Sequence, residues 1–167
     1  MNLREQMFKQ PRLFRAVMSL YPPYLGAGVR VTKVAKDFGE VVVELRASKL
    51  NGNAFGTHFG GSLYSMADPF YALMLVAKLG RDYIIWDKSA QIDFVRPGIG
   101  TVTARFVLSE AQVEEIRAAT AGGGKFEPVY KLDIRNKDNK VVARVTKTLH
   151  IRRRDAQATR PDKASAS

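Results

Sequence analysis

Residues 53–75 read NAFGTHFGGSLYSMADPFYALML, and this stretch decides the fold. Two glycines lead into a run of apolar residues, and the run predicts one long helix over Gly60–Leu79. Gly80 stands just beyond the run, where glycine commonly ends a helix. The helix is apolar on most sides and carries one carboxylate, Asp68, directly before Pro69. The sequence therefore predicts a largely buried central helix with one acidic side chain in it.

The segments on both sides of this helix alternate as strands do. Thr101–Leu108 places its apolar residues on one face, and Val141–Ile151 does the same except that Lys147 interrupts the face. Ser109 and Gln112 predict a capping box that starts a short helix. The predicted strands are 28–34, 40–45, 83–95, 101–108, 129–135 and 141–151, and a helix is predicted over 10–20, ended by Pro22 and Pro23. The predicted fold class is α+β, with an antiparallel sheet of about six strands wrapped around the long central helix.

The composition is that of one compact domain. The chain has 167 residues, 46% of them hydrophobic, and we expect a single domain over 1–152 with an N-terminal helical segment. Residues 153–167 are small, polar and basic, and we expect a disordered tail there. The net charge is +11, and without residues 152–167 it is still +8, from 22 Lys and Arg against 14 Asp and Glu. Such a charge attracts polyanions in general and does not choose among nucleic acid, an anionic membrane surface and a phosphorylated cofactor.

The composition also argues against several classes of protein. The chain has no cysteine, which excludes disulfides and thiol nucleophiles and fits a cytoplasmic protein. With two histidines, His58 and His150, a multi-histidine metal site within one chain is not expected. No apolar run is long enough to cross a bilayer, and the N-terminus lacks the apolar core of a secretory signal. The aromatic residues are spaced as core residues rather than interleaved with a basic stripe, so we expect no nucleic-acid partner and no membrane partner.

The central stretch carries a family resemblance. Asn53-Ala54-Phe55-Gly56-Thr57, then Gly60-Gly61, then Asp68, resembles the hotdog acyl-CoA thioesterases of the phenylacetyl-CoA thioesterase group, whose motif runs Asn, Gly, His-Gly-Gly and then an Asp within the helix. The blocks LYPPYLGAGVRV, GTHFGGSLYSMADPF, YIIWDKSAQIDFVRPGIG and VVARVTKTLHIR look like an uncharacterised branch of the same superfamily, over about residues 20–152. The resemblance implies a hotdog fold, in which the sheet curls around the helix. It also implies hydrolysis of an acyl-CoA or acyl-carrier thioester with no metal or redox cofactor.

Within that resemblance, Asp68, Gly60 and Gly61 are the catalytic candidates. Asp68 would activate a water or attack the thioester carbonyl itself, and the amide groups at the start of the helix would stabilise the developing oxyanion. The residues alone leave two alternatives open. Asp68 and Pro69 also suit the cap and first turn of a second helix, and the glycines also suit a helix that enters past a crowded strand.

The spacing of the catalytic candidates has a consequence for assembly. Gly60 and Asp68 are eight residues apart, which on one helix is about 12 Å along the axis. A reacting carbonyl must lie within about 3 Å of its base and of its oxyanion donors. One helix therefore cannot supply both groups, and we expect an obligate homodimer with two equivalent sites at its interface. The sequence leaves open whether dimers pair further into tetramers.

Five further residues are candidates for substrate binding: Asn53, His58, Phe59, Tyr64 and Asp87. Phe59 stands where the family has a histidine, with His58 one position earlier, and Asp87 stands where the family often has a small hydroxyl residue. Asn53 would hydrogen-bond the acyl group or only its own loop, and His58 is equally a plain loop residue. Tyr64 would line the pocket or belong to the core.

Asp87, and the phenylalanine at position 59 where the family has a histidine, leave two questions open. Asp87 is either a second acid that tunes Asp68 or a structural residue paired with Lys88 or Arg96. The chain is either a thioesterase or a non-catalytic acyl- or fatty-acid-binding hotdog protein that kept the fold after losing the usual histidine. The thioesterase is the function that we predict.

Overall fold

The computed structural model describes residues 3–49 and 51–154, and the predicted tail lies outside the described residues from residue 155 onward. The helices are α1 (Leu3–Met7), α2 (Pro11–Ser19), α3 (Pro22–Ala27), α4 (Gly60–Ser65), α5 (Phe70–Leu79) and α6 (Glu110–Ala119). The strands are β1 (Val29–Val34), β2 (Glu40–Arg46), β3 (Tyr83–Phe94), β4 (Thr101–Val107), β5 (Lys125–Phe126), β6 (Val129–Asn136) and β7 (Val141–Arg153). The last strand thus ends one residue past the predicted domain boundary at residue 152.

The strands form one antiparallel sheet in the order β1-β2-β4-β6-β7-β3, and the short β5 pairs with β7. The six strands predicted from the sequence are all present, with their ends shifted by two residues at most. β3 is 12 residues long and lies at the end of this order, so within the described residues only one of its edges has a partner strand. Its face and outer edge are largely open: Trp86 is 46% exposed and Phe94 is 57% exposed.

The core lies between the sheet and α5. The inward residues of β2 and β4 are fully buried, as their alternation predicts. Phe70 and Tyr71 at the start of α5 meet Phe106 of β4, with ring centroids 5.0 and 5.3 Å apart. Aromatic pairs at such distances add to the free energy of burial. The sheet therefore wraps around the central helix, as expected.

The central helix is interrupted where Asp68 and Pro69 stand. α4 ends at Ser65, α5 begins at Phe70, and a turn of four residues joins them. Pro69 has no backbone N–H and is the N-cap residue of α5, so the helix cannot run through this point without losing a hydrogen bond. The N-cap of α5 is Pro69, so Asp68 stands one residue before the cap position that the sequence suggested for it.

Two local predictions have contrasting outcomes. The capping box is confirmed: Ser109 Oγ accepts from the Gln112 N–H at 3.2 Å, and the Gln112 side chain accepts from the Ser109 N–H at 2.9 Å. The first helix does end before Pro22 and Pro23, since α2 stops at Ser19, but the two prolines also begin α3, because proline suits the first helical position. Among the described helices, none is long and apolar enough to cross a membrane.

Candidate active site

A buried lysine lies at the centre of the candidate site. Lys147 pairs with Tyr130 on β6 and with Ala90 on β3, and its side chain points to the core face, like the buried Val145 and Leu149 on either side of it. The Lys147 side chain is 0% exposed. In the sequence it appeared as an interruption of an apolar face. No local pattern could show which groups surround it, because they come from distant parts of the chain.

Two carboxylates contact this lysine. Lys147 Nζ lies 2.9 Å from Asp87 Oδ2 and 3.5 Å from Asp68 Oδ1. We call Asp68, Lys147 and Asp87 the charge triad. The Asp87 side chain is 22% exposed and the Asp68 side chain is 50% exposed, so the triad runs from the interior to the surface. Asp68, expected among apolar residues, is therefore half open to solvent in the single chain.

The structure assigns Asp87 a partner that the sequence did not predict. Lys88, one of its two expected partners, instead makes a 2.6 Å ion pair with Glu127. Lys88 is the extra residue of a β-bulge, because Asp87 lies opposite Leu149 while Ser89 lies opposite Thr148. The bulge leaves Asp87 on the core face, where it reaches Lys147.

Burial dominates the electrostatics of Asp87. Desolvation raises the pKa of the Asp87 carboxyl, the Lys147 ammonium opposes this rise, and the charge of Asp68 adds to it. Oδ1 of Asp87 and Nζ of Lys147 are both buried without a well-aligned hydrogen bond to any described residue. The 2.9 Å contact is therefore an ion pair rather than an ideal hydrogen bond. The triad carries three charges and one net negative charge when all its members are ionised.

Two tyrosines complete the surroundings of Asp68. Tyr64 lies one helical turn before Asp68, and desolvation, followed by the charge of Asp68 and a side-chain interaction with it, raises the Tyr64 pKa. Tyr24 of α3 is 2% exposed, and its hydroxyl has no hydrogen-bond partner within the described part of the chain. Burial, followed by the charge of Asp68, raises the Tyr24 pKa. Both phenols therefore stay protonated and able to donate at neutral pH.

Gly60 lies in a different cleft. A cavity of about 480 Å³ is lined by Gly60 together with Asn53, His58, Leu63, Phe94 and Arg96, and Asp68 is not among its lining residues. A Cβ on Gly60 would lie 3.0 Å from Phe94 Cζ, and one on Gly61 would overlap the Phe59 ring, which itself is 59% exposed. Within one chain, the start of α4 and Asp68 therefore face separate spaces.

The loop before α4 is held by its own polar side chains. Asn53 Oδ1 accepts from the N–H groups of Phe55 and Thr57 at 2.9 and 3.1 Å, and its amide donates to Thr57 Oγ1 at 2.8 Å. His58 is 4% exposed and donates from Nε2 to the Gly100 carbonyl at 2.8 Å. Burial lowers the His58 pKa, and the bond to Gly100 opposes this. Both side chains thus make loop contacts, and their predicted part in substrate binding stays a prediction.

The architecture is that of the hotdog fold, so the resemblance seen in the sequence is confirmed at the level of the fold. The Pseudomonas aeruginosa protein of unknown function PA5026 has a similar structure, with a TM-score of 0.76 and 18% identity over 87% of this chain and 99% of that one. The Haemophilus influenzae thioesterase HI1161 has a TM-score of 0.62 and 15% identity over 86% and 91% of the two chains. The Escherichia coli PaaI protein, from the phenylacetic acid degradation operon, has a TM-score of 0.57 and 19% identity over 92% and 97%.

The family of the chain follows from its sequence. The model of the domain of unknown function DUF4442 matches residues 10–151, and the chain belongs to that family. A comparison with curated protein sequences finds no match. Within the described residues, no three His, Asp or Glu side chains come together as metal ligands would.

Proposed function

We propose that this protein is a thioesterase that hydrolyses an acyl-CoA or acyl-carrier thioester with a water activated by Asp68. The observation that carries the proposal is the position of Asp68: a half-exposed carboxylate at a break in the central helix, in contact with the Lys147 ammonium and near Tyr64. The thioesterase from Haemophilus influenzae has the same fold, which makes thioester hydrolysis the first reaction to test. No metal or redox cofactor enters the proposed reaction, and we place the protein in the cytoplasm.

The proposed chemistry needs one base and one group of oxyanion donors. Asp68 takes a proton from water as the water oxygen attacks the carbonyl carbon, and the carbonyl π electrons move to oxygen. The tetrahedral intermediate collapses, the C–S bond breaks and the thiolate leaves with the electron pair. The proton held by Asp68 then passes to the sulfur. In a variant of this route, Asp68 attacks the carbonyl itself and water hydrolyses the resulting anhydride.

The oxyanion donors are proposed to come from a second copy of the chain. Gly60 and Asp68 of one chain face separate spaces, so the site is complete only when the partner subunit's Gly60 and Gly61 approach Asp68. The unpaired edge of β3 supports this homodimer, because a long exposed edge with Trp86 and Phe94 beside it suits pairing with another strand. Further pairing into a tetramer is compatible with the proposal.

In such a site the predicted binding residues would divide between the subunits. Tyr64 and Asp87 lie next to Asp68 on the same chain. Asn53, His58 and Phe59 lie at the start of α4, so they would reach the same substrate from the partner subunit. Phe59 would present an apolar ring to the acyl group.

The central experiment compares thioester hydrolysis by the wild type and by Asp68→Asn over a series of acyl-CoA chain lengths. Loss of the general base should lower kcat by about 10²–10⁴-fold. Asp138→Asn is the matched control, because Asp138 is an exposed carboxylate in the turn between β6 and β7. Equal rates for Asp68→Asn and the wild type would remove Asp68 as the reagent.

A complementation experiment tests the shared site. Asp68→Asn lacks the base, and Gly61→Pro lacks a backbone N–H in the first turn of α4, where proline is tolerated, so each should be inactive as a homodimer. Co-refolded at a 1:1 ratio, half of the dimers are mixed and each mixed dimer has one intact site, so about a quarter of the wild-type activity should return. No recovery, or an active monomer in light scattering at high dilution, would reject the shared site.

A second function is favoured by one residue. Phe59 replaces the histidine of the resembling family, and a hotdog protein without that histidine would serve as a non-catalytic carrier of acyl groups or fatty acids. Tight binding of acyl-CoA without turnover in the same assay would support this function over the thioesterase.

A further inference from the structure

We propose that Lys147 is a positioning residue for Asp68 and that Asp87 anchors Lys147 in place. For its kinetic consequence this inference rests on the proposed thioesterase function. Nothing in the family resemblance assigns a role to a lysine at this position. With these roles the site consists of the whole charge triad rather than one carboxylate: Asp68 on the turn after α4, Lys147 on β7 and Asp87 on β3.

Stability does not account for a lysine at this position. Lys147 is fully buried on a strand between the apolar residues Val145 and Leu149. Removing an ammonium from water costs several kcal/mol, and a buried ion pair seldom does better than apolar side chains of similar volume. A methionine would fill the same space without a charge to compensate. We therefore look for the reason for a lysine at this position in the groups that its ammonium contacts.

The contacts of Lys147 with Asp87 and with Asp68 differ, and the difference indicates which carboxylate is the anchor. Asp87 is the closer carboxylate, at 2.9 Å, and it is fixed on a strand and mostly buried. Asp68 is farther, at 3.5 Å, half exposed, and carried by the turn between α4 and α5. Asp87 thus holds the lysine, and the lysine reaches the movable carboxylate.

Asp68 needs such a contact because the helix does not fix it. Its N–H bonds to the Ser65 carbonyl at 3.3 Å, the long end of the range for a hydrogen bond, and Pro69 follows directly. The groups that face its carboxylate are Tyr24 from α3, Tyr64 from α4, Asp87 from β3 and Lys147 from β7. Lys147 is the one cation among them, so it supplies the attraction that a phenol cannot.

This arrangement suits a general base. Lys147 contacts Oδ1, and half of the Asp68 side chain stays open, so water can reach the carboxylate. A base misplaced by about 1 Å loses on the order of 10²-fold in rate. Asp87 carries the same charge as Asp68 and repels it, whereas Lys147 attracts it.

The experiment uses the full-length protein with two variants of the charge triad. Lys147→Met/Asp87→Asn removes the cation and its anchor together, so no lone charge stays buried. It should lower kcat about 10²-fold with KM changed less than about 3-fold. Asp87→Asn alone removes the anchor and keeps the ammonium, so it should lower kcat by less than the double variant does. Lys131→Met, at an exposed lysine of β6, is the control and should change neither kcat nor KM.

A second readout does not depend on activity. Carbon-13 NMR of the Asp68 carboxyl, identified by its loss in Asp68→Asn, reports the surroundings of that carboxyl directly. The resonance should move in the double variant, which lacks the ammonium, and stay in place in Lys131→Met. If the wild type hydrolyses no thioester, the proposed function fails while this resonance still decides whether Lys147 contacts Asp68.

Two results would overturn the inference: an Asp68 carboxyl resonance that is the same in the wild type and the double variant, or a double variant with wild-type kcat. A merely structural lysine would alter thermal stability and leave the kcat of the folded protein in place. Should the double variant not fold, Asp87→Asn remains the test, and a wild-type kcat together with an unmoved Asp68 resonance in that variant counts against the proposal.

Discussion

Removal of Lys147 alone should destabilise the fold far more than removal of Lys147 and Asp87 together. In Lys147→Met, the Asp87 carboxylate keeps 22% exposure, loses its cation and still has Asp68 nearby. Breaking a buried ion pair costs about 3–5 kcal/mol, and the partial exposure of Asp87 places this case at the lower end, about 3 kcal/mol. For a chain of this size the melting temperature should fall by about 6–12 °C. Lys147→Met/Asp87→Asn should be within about 1 kcal/mol of the wild type.

Urea denaturation at one fixed protein concentration measures the free energies of unfolding, because dimer formation makes stability depend on concentration. The pH dependence gives a check on sign. The pKa of Asp87 is raised in the folded state, so protonated Asp87 favours folding, and stability is lost as pH rises through the folded pKa. The deficit of Lys147→Met should therefore shrink as the pH is lowered toward the ordinary range of a carboxyl. Equal destabilisation of the single and double variants would refute this reasoning.

Three further predictions concern the scaffold. Gly28→Ala should cost about 2 kcal/mol in a melting experiment, because Gly28 has φ of +78°, whereas Gly26→Ala, with open space around its Cβ, should be neutral or stabilising. Ser109→Ala should cost about 1 kcal/mol by the same measurement through loss of the cap on Gln112, and a wild-type melting temperature would contradict the box. The pKa of His58 is lowered by burial, so its contribution to stability is present above the ordinary histidine pKa and is lost as pH falls through the folded value. Denaturation at pH 7.5 and pH 5 should show this loss in the wild type and a flatter dependence in His58→Gln.

The sequence predicted the fold because its signals are local. The alternation of Thr101–Leu108, the glycine after Leu79 and the capping box each depend on neighbours along the chain, and all three are confirmed. The structure that follows Pro22 and Pro23 was harder to predict, because proline can both end one helix and begin the next. Whether a new helix forms after the prolines depends on packing.

The candidate site depended on contacts that no local pattern contains. Lys147 was visible as an interruption in a strand, but its contacts with Asp68 and Asp87 join residues 60 to 79 positions apart in the chain. The partner of Asp87 was wrongly expected nearby, at Lys88 or Arg96, because sequence proximity is the only guide before the bulge and the sheet register are known. Tyr24 could not be linked to Asp68 for the same reason.

The bulge in β3 also determines which changes of length the strand can tolerate. Lys147 and Leu149 face the core while Thr148 faces away, and Asp87 and Ser89 lie opposite Leu149 and Thr148 with Lys88 left over between them. Deleting Lys88 would give regular alternation with Asp87 still on its inward side, whereas deleting any one of the residues from Ala90 to Asp93 would carry part of the strand to the wrong face. Relatives that are one residue shorter here can therefore keep the same inward carboxylate, and an alignment gap at this position need not mean a different site.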